Sequence, residues 1–302
     1  MSDTRSALST RYGRDQDWTV ASNETVDTLL RHRSVRLWLD REVDETALNT
    51  MIAAAQSAAT SSNKQVVSVI AVRDAAIKQA IASIGKRMSS HVATAPVLLV
   101  WLIDFSQHRF LAEREAARAA EDGENGAAEE VHGVSSRPPH DLGALEYLDE
   151  PMLAALDIGI AAQNAVVAAE SLGLGTVYLG SLRNDIAQVQ EILDIPETVV
   201  PFLGLAVGWG DPAENAGVKP RLPRELFVHH DRYNRREDAA GQAERTRLLA
   251  DYDDALEDYF SRYGSHPQWS AQTLHRMSGT AATRTKRHLL RRILEKAGFQ
   301  LR

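Results

Sequence analysis

The feature of this sequence that most constrains its fold is a long apolar segment at residues 153–175, LAALDIGIAAQNAVVAAESLGLG. By length alone it could cross a membrane. It also contains four residues with carboxylate or amide side chains: Asp157, Gln163, Asn164 and Glu170. Four such groups in one span would be costly in lipid, where water cannot solvate them. The segment therefore predicts a buried helix, not a membrane span.

Shorter apolar runs predict the strands and the remaining helices. Runs rich in β-branched residues are typical of buried strands, and they occur at residues 66–74, 95–104, 176–180 and 200–210. Caps and helical spacing predict further helices at residues 24–33, 44–58, 185–194, 237–263 and 284–299. Because the strands are scattered among helices without regular βαβ spacing, the predicted fold class is α+β.

The chain is predicted to form a single domain over residues 1–302, with three less regular segments. The polar residues 1–22 are expected to form a flexible arm. Residues 106–150, which include AAEDGENGAAEE and SSRPPHD, are expected to form an acidic, solvated insertion. Residues 264–302 are expected to be a basic extension that ends in an amphipathic helix.

The composition excludes several classes of protein. The chain has no cysteine, which rules out thiol nucleophiles and cysteine-based zinc sites. A net charge of −7 disfavours nucleic-acid binding, and the polar N-terminus lacks the apolar core of a signal peptide. A soluble, cytoplasmic protein without nucleic-acid or membrane partners is therefore predicted.

The motifs of common catalytic chemistries are missing from the sequence. It contains no GxGxxG, P-loop, HExxH or GxSxG pattern. His229 and His230 are adjacent, but no carboxylate lies at metal-ligand spacing from them, so they are interpreted as loop residues. The sequence therefore predicts neither a metal site nor a catalytic side chain.

Three polar stretches are candidates for a binding site. RHRSVR (31–36) either complements the dipole of the helix that it ends or forms an anion cradle. ATSSNKQ (59–65) is either an ordinary turn or a set of short donors and acceptors for a heteroaromatic edge. KPRLP (219–223) is either a solvated pair of cations or a loop that its prolines stiffen to present both cations to a phosphate.

Taken together, these stretches resemble the nitroreductase superfamily, specifically its branch of NADPH-dependent FMN nitroreductases and flavin reductases. The matching segments are RHRSVR, AAQSAATSSNKQVVSVIAVRD, AAQNAVVAAESLGLGTVYLGSLRND, FLGLAVGW and KPRLP. The resemblance covers residues 24–105 and 152–233 well and the C-terminal residues more weakly. It implies an α+β fold with an antiparallel or mixed sheet flanked by helices, in an intertwined homodimer that binds FMN at the subunit interface.

The resemblance also implies which residues bind the cofactor. Those expected at the FMN phosphate are His32, Arg33, Ser34, Lys219 and Arg221. Arg36 is expected near the pyrimidine of the flavin ring, where an arginine stabilises the negative charge of the reduced flavin. Those expected from the other subunit are Thr60, Ser61 and Asn63. Ser89 stands where the family has a glutamine-type ring contact.

A second set of residues is expected beside the flavin ring itself: Tyr178, Leu179, Gly180 and Ser181. The turn at Gly180–Ser181 would direct a backbone N–H towards flavin N5. Glycine suits this position because the absence of a β-carbon lets the backbone approach the ring closely.

The implied reaction is a ping-pong hydride transfer. NAD(P)H reduces FMN, and a nitroaromatic, quinone or flavin acceptor then takes the hydride from N5. Arg262 is expected to bind the phosphate of NADPH. The family's NADPH-preferring members have a second arginine where this sequence has His266, Pro267 and Gln268, so NADH remains an alternative donor.

Two other functions remain open. A flavin-binding or sensory protein with little turnover would have the same cofactor residues and an insertion that blocks the reaction. The basic C-terminal segment could contact nucleic acid, although a solvated helix face packed on the partner subunit is the preferred interpretation.

Overall fold

The computed structural model describes residues 4–85, 89–122, 130–131, 134–135 and 141–302. Its helices are α1 (Thr4–Tyr12), α2 (Glu24–Arg31), α3 (Glu45–Gln56), α4 (Ala75–Ile84), α5 (Ser89–Thr94), α6 (Ser106–Asp122), α7 (Asp149–Ser171), α8 (Ile186–Ile192), α9 (Arg224–Phe227), α10 (Ala239–Ser261), α11 (Trp269–Met277), α12 (Gly279–Ala282) and α13 (Leu290–Lys296). Its strands are β1 (Val67–Val72), β2 (Val97–Ile103), β3 (Glu130–Val131), β4 (Val134–Ser135), β5 (Gly175–Leu179) and β6 (Val200–Gly208). Short 3-10 turns lie at Ser61–Asn63, Gly143–Glu146, Gly180–Asn184 and Lys286–Leu289.

Four strands form one sheet in the order β1-β2-β6-β5, and every neighbouring pair in it is antiparallel. β3 and β4 pair with each other separately. Every residue of β2 is buried, as the continuous apolar run at 95–104 predicts for a strand covered on both faces. The α+β class predicted from the sequence is confirmed.

Helices cover both faces of the sheet. Because successive side chains of β2 point to opposite faces, β2 contributes to the core on each side. On one face, Leu99 and Trp101 belong to a cluster with α3 and α7. Small α7 residues such as Ala162 allow these helices and the sheet to approach closely. On the other face, Leu98 and Val100 belong to a cluster with α4, α5 and α8.

The central helix α7 has 23 residues, and among the described residues it is the helix that is long and apolar enough to cross a membrane. One face packs against α3 and the sheet, and Asp157 on it is 1% exposed. The opposite face exposes Met152, Leu156 and Ile160, which recur every four residues and therefore share one side of the helix. In the single chain, the predicted buried helix is thus buried on one face only.

The predicted flexible arm at residues 1–22 contains a packed helix. α1 lies against α2, and within it Leu8 is 3% exposed and Arg11 is 7% exposed. The sequence gives little sign of this helix because the segment is mostly polar and, among its described residues, Leu8 and Arg11 are the buried ones.

The predicted insertion and C-terminal extension contain helices and buried residues where the structure describes them. Residues 106–122 form the regular helix α6, and Leu145 is buried in the core. Near the C-terminus, Phe299 is 1% exposed and packs edge-on against Phe105, with ring centroids 5.5 Å apart. Most of residues 123–140 lies outside the described part of the chain, and the division of the chain into a domain and accessory segments stays a prediction.

Candidate functional site

The predicted stretches RHRSVR and KPRLP line the same cavity, which has a volume of about 180 Å³. Its lining residues are Arg11, His32, Arg33, Ser34, Arg36, Gly217, Lys219, Arg221 and Tyr259. All five residues predicted at the phosphate are among them, together with Arg36. The fold therefore brings these side chains together from distant parts of the sequence.

RHRSVR is held in place by the edge strand β5. The Val35 N–H donates to the carbonyl oxygen of Thr176 (2.9 Å) beside a parallel bridge between Ser34 and Thr176. Val35 is buried, whereas Ser34 and Arg36 line the cavity, because side chains alternate along an extended segment. Gly175 permits this pairing, since a β-carbon there would lie 2.7 Å from Val35 Cγ2.

Arg11 of α1 connects the two stretches. Its Nη2 donates to the carbonyl oxygens of Leu30 (2.8 Å) and His32 (2.6 Å), and its Nη1 donates to that of Lys219 (3.2 Å). The Arg11 carbonyl in turn accepts a hydrogen bond from the N–H of Arg221 (3.0 Å). Burial and the neighbouring Arg221 lower the pKa of Arg11 to about 10. No motif in the polar N-terminus signals this role, so Arg11 was not among the predicted site residues.

His32 is oriented by a carboxylate near the C-terminus of α7. Its Nδ1 lies 2.7 Å from Glu170 Oε1, which also accepts a hydrogen bond from Thr176 Oγ1 (2.7 Å). With Nδ1 engaged, Nε2 is the ring nitrogen left for the cavity. Glu170 was missed as a site residue, although an acidic residue within an apolar helix is a signal that could have identified it.

The cavity has an excess of positive charge. Four of its cationic side chains form no ion pair within the described parts of the chain: Arg33, Arg36, Lys219 and Arg221. Burial lowers the pKa of Lys219, and so do the nearby Arg36, Arg276 and Arg221. Mutual repulsion of this kind is relieved when an anion binds between the cations.

The carboxylate of Glu214 binds backbone near this cavity. It accepts hydrogen bonds from the N–H groups of Arg36 (2.9 Å) and Leu37 (3.1 Å). It thereby positions the Arg36 backbone without forming an ion pair with the Arg36 side chain. Glu214 was not among the predicted site residues either.

The predicted ring-contacting turn begins where β5 ends. Leu179 is fully buried, and Gly180 opens a 3-10 turn that leads to Asp185, the cap of α8. The Tyr178 hydroxyl donates to Gln163 Oε1 (3.2 Å), and burial together with Glu170 raises the Tyr178 pKa. β5 therefore carries the bridge to RHRSVR at Thr176 and leads directly into the Gly180–Ser181 turn.

The third predicted stretch, ATSSNKQ, lies apart from the lining of this cavity within the single chain. Its turn has left-handed backbone at Ser62, Asn63 and Gln65, with φ values of 51°, 55° and 54°. Ser61 holds the turn to α7, because its N–H (3.1 Å) and its hydroxyl (2.9 Å) both donate to Asp157 Oδ1. The contribution of this turn to the other subunit's site stays a prediction. The side chain of Ser89 lies outside the described part of the chain.

Arg262 lies next to the cationic cavity. Its guanidinium stacks near the Tyr259 ring, at 4.9 Å, and passes over Gly217, where a β-carbon would lie 2.0 Å from Nη1. Arg262 also lines a neighbouring cavity of about 780 Å³ together with Arg14. The two cavities share Tyr259, so Arg262 is placed beside the predicted cofactor site.

The fold and the site define an α+β protein with a cavity lined by cationic side chains beside the edge strand of an antiparallel sheet. Residues 29–209 match the model of the nitroreductase family, and residues 219–302 match that of the nitroreductase family C-terminal domain. The chain belongs to the nitroreductase family, and the resemblance drawn from its sequence motifs is confirmed.

Individual relatives extend over most of the chain. It is 35% identical over 249 residues to the oxygen-insensitive NADPH nitroreductase of Salmonella typhimurium, covering 82% of this chain and 88% of the relative. It is 32% identical over 258 residues to the FMN reductase (NADPH) of Bacillus subtilis, covering 84% and 92%. The structure of the NfrA1 nitroreductase from B. subtilis superposes with a TM-score of 0.75 at 30% identity, covering 91% of this chain and 98% of that one.

Proposed function

We propose that this protein is an FMN-dependent NAD(P)H oxidoreductase that reduces small electrophilic acceptors such as nitroaromatics, quinones or free flavins. The observation that carries the proposal is a cavity in which Arg33, Arg36, Lys219 and Arg221 pair with no carboxylate of the described residues. The relatives of this chain include an NADPH nitroreductase and an FMN reductase. Bound FMN supplies the hydride-transfer chemistry, so no side chain has to serve as acid, base or nucleophile.

The residues of the cavity fit the phosphate of this cofactor. A phosphate dianion would neutralise part of the charge that lowers the Lys219 pKa, and arginine forks bind phosphate oxygens in pairs. We assign this role to His32, Arg33, Ser34, Lys219 and Arg221. We assign Arg36 to the pyrimidine of the ring, where its charge would stabilise the reduced form.

The turn that follows β5 is assigned to the flavin ring. The residues proposed to lie along it are Tyr178, Leu179, Gly180 and Ser181. This assignment is supported by their position directly after the strand that bridges to RHRSVR.

The protein is proposed to be a homodimer formed through α7. The exposed apolar residues Met152, Leu156 and Ile160 form a stripe that a second copy would cover. Asp157, on the buried face of the same helix, anchors Ser61. The residues of this turn expected from the other subunit, Thr60, Ser61 and Asn63, are proposed to contribute to the partner's flavin site. The packing of α7 against its own sheet also supports a soluble chain, and we propose a cytoplasmic location.

The hydride donor is proposed to be NADPH or NADH, with Arg262 at the 2′-phosphate when NADPH binds. This is supported by the position of Arg262 beside the cationic cavity. A single cation in this role leaves the preference between the two nucleotides to be measured.

Anaerobic stopped-flow absorbance tests the proposal directly. The purified protein should contain or take up FMN. NADPH or NADH should bleach the flavin at least as fast as the enzyme turns over, and the colour should return when an acceptor is added. The Arg36→Ala variant should have a lower FMN reduction potential and weaker flavin retention. Colourless protein that takes up no FMN would refute the proposal, whereas FMN that bleaches only slowly would indicate the flavin-binding or sensory alternative.

A further inference from the structure

The C-terminal segment of the chain contacts the turn assigned to the flavin ring. Arg287 lies in the 3-10 turn Lys286–Leu289 and donates through Nη2 to the carbonyl oxygen of Gly180 (2.7 Å). Its Nε donates to Asn184 Oδ1 (2.8 Å), and the adjacent Lys286 forms an ion pair with Asp185. Residues about a hundred positions away in the sequence thus hold both ends of the Gly180–Asn184 turn.

The hydrogen bond to the Gly180 carbonyl fixes the orientation of the whole Gly180–Ser181 peptide group. A trans peptide is planar, with its C=O and the following N–H pointing in opposite directions. Holding the Gly180 oxygen therefore fixes the direction of the Ser181 N–H, which points away from Arg287. A charged donor on the carbonyl also polarises the peptide and makes its N–H a stronger donor.

The Gly180–Asn184 turn also lies next to two arginine side chains. Arg183 lies beside Arg287, and burial together with Arg287 lowers its pKa. A β-carbon on Gly180 would lie 3.4 Å from Arg183 Nη2 and 3.6 Å from Arg287 Nη2. Neither arginine forms an ion pair within the described part of the chain. The turn therefore lies in a positive field, which favours negative charge on a group bound against it.

We propose that Arg287 is a positioning residue for hydride transfer. It orients the Ser181 N–H and, together with Arg183, raises the reduction potential of the bound flavin. This inference rests on the proposed function, because it requires the Gly180–Ser181 turn to lie against the ring.

The test compares three variants of the full-length FMN-bound protein. Arg287→Ala removes both hydrogen bonds and the charge. Arg287→Lys keeps the charge but lacks the fork that reaches Gly180 and Asn184 together. Arg291→Ala is the matched control, because Arg291 lies in the same basic segment, is exposed, and pairs with Glu295 one helical turn away. The side chain of Arg287 is exposed, so its loss should leave the fold intact, which circular dichroism would verify.

We expect Arg287→Ala to lower the FMN reduction potential, measured against an equilibrating dye. The limiting rate of flavin bleaching by NAD(P)H should fall about tenfold, at an unchanged half-saturating nucleotide concentration. Arg287→Lys should have a reduction potential close to that of the wild type but a clearly lower bleaching rate. Arg291→Ala should match the wild type in both.

Two results would overturn the inference, and they are distinguishable. If the wild type binds FMN and turns over while Arg287→Ala keeps its potential and its rate, Arg287 has no positioning role and the proposed function stands. If the wild type takes up no FMN, both fail together. Should Arg287→Ala unfold, Asn184→Ala removes one acceptor of the same guanidinium, and an unchanged rate in that variant would count against the inference.

Discussion

His32 and Glu170 are joined by a 2.7 Å contact between the imidazole Nδ1 and the carboxylate Oε1, which ties the cationic stretch to the C-terminal end of α7. The same oxygen accepts the hydroxyl of Thr176 on β5. One carboxylate therefore connects helix, edge strand and binding stretch, so that the orientation of His32 depends on the central helix.

Replacing Glu170 should weaken cofactor binding. Glu170→Ala leaves the His32 ring and the Thr176 hydroxyl without their shared acceptor, so we expect FMN affinity to fall roughly tenfold. Glu170→Gln keeps an acceptor oxygen and should lose less. Fluorescence titration with FMN measures the change, and Glu191→Ala, at an exposed position on α8, is the control. Equal affinity in all three variants would show that Glu170 does not orient His32 for binding.

The Arg11→Ala variant should lose both stability and FMN affinity. It leaves the carbonyl groups of Leu30, His32 and Lys219 without a buried charged donor, a loss of about 1–3 kcal/mol in the free energy of unfolding. Urea unfolding gives the stability and FMN titration gives the affinity. Arg235→Ala, at an exposed position, should change neither. A destabilised variant with full FMN affinity would mean that Arg11 supports the fold but not the cavity.

The lowered pKa of Lys219 predicts that folding stability and FMN affinity change in opposite directions with pH. Without FMN, the charged form is disfavoured in the folded protein, so the contribution of Lys219 to stability rises as pH increases from its lowered pKa towards 10.5. FMN binding favours the charged form, so affinity should fall as pH rises from neutrality to about pH 10.

The Lys219→Arg variant is the control for this pH dependence. Arginine stays protonated over this range, so the variant should bind FMN with a flatter pH profile. Calorimetric titration at each pH would measure the profile. Parallel profiles for the wild type and Lys219→Arg would assign the dependence to another group.

Arg262 should affect the two nucleotide donors differently. Arg262→Ala removes a cation from the expected 2′-phosphate site, so the KM for NADPH should rise roughly tenfold while the KM for NADH changes little. Gly217→Ala should reproduce part of this effect, because the added methyl group displaces the Arg262 guanidinium. Steady-state kinetics with both donors is the measurement. An equal rise in both KM values would remove Arg262 from 2′-phosphate recognition.

A charge in the apolar stripe of α7 should disrupt the proposed dimer. Leu156→Glu places a carboxylate at a position that is 57% exposed in the single chain, so the subunit should still fold, but burial against a second copy becomes unfavourable. Sedimentation velocity should show monomer and FMN titration should show weak binding. Leu274→Glu, at a position 71% exposed on α11, is the matched control. A wild-type-like dimer in Leu156→Glu would place the interface elsewhere.

Much of the fold could be predicted because the relevant signals are local. The apolar runs of β1, β2, β5 and β6 and the caps Asn23 and Asp44 indicate strand and helix without reference to the rest of the chain. Helix α1 was missed because its sequence is mostly polar and carries little amphipathic pattern, so that only its packing against α2 in the fold identifies it.

The sequence by itself determined the α+β class, the central apolar helix and the family, together with the cationic stretches at residues 31–36 and 219–223. The family resemblance implied that both stretches meet at one phosphate, and the structure has them lining one cavity. Only the tertiary structure decided that Arg11, Glu170 and Glu214 organise that cavity and that Arg287 reaches Gly180. The physical reason is the range of the interactions. Hydrophobic periodicity is a property of neighbouring residues, whereas the effect of a charge or a hydrogen bond depends on which groups the completed fold places within a few ångströms of it.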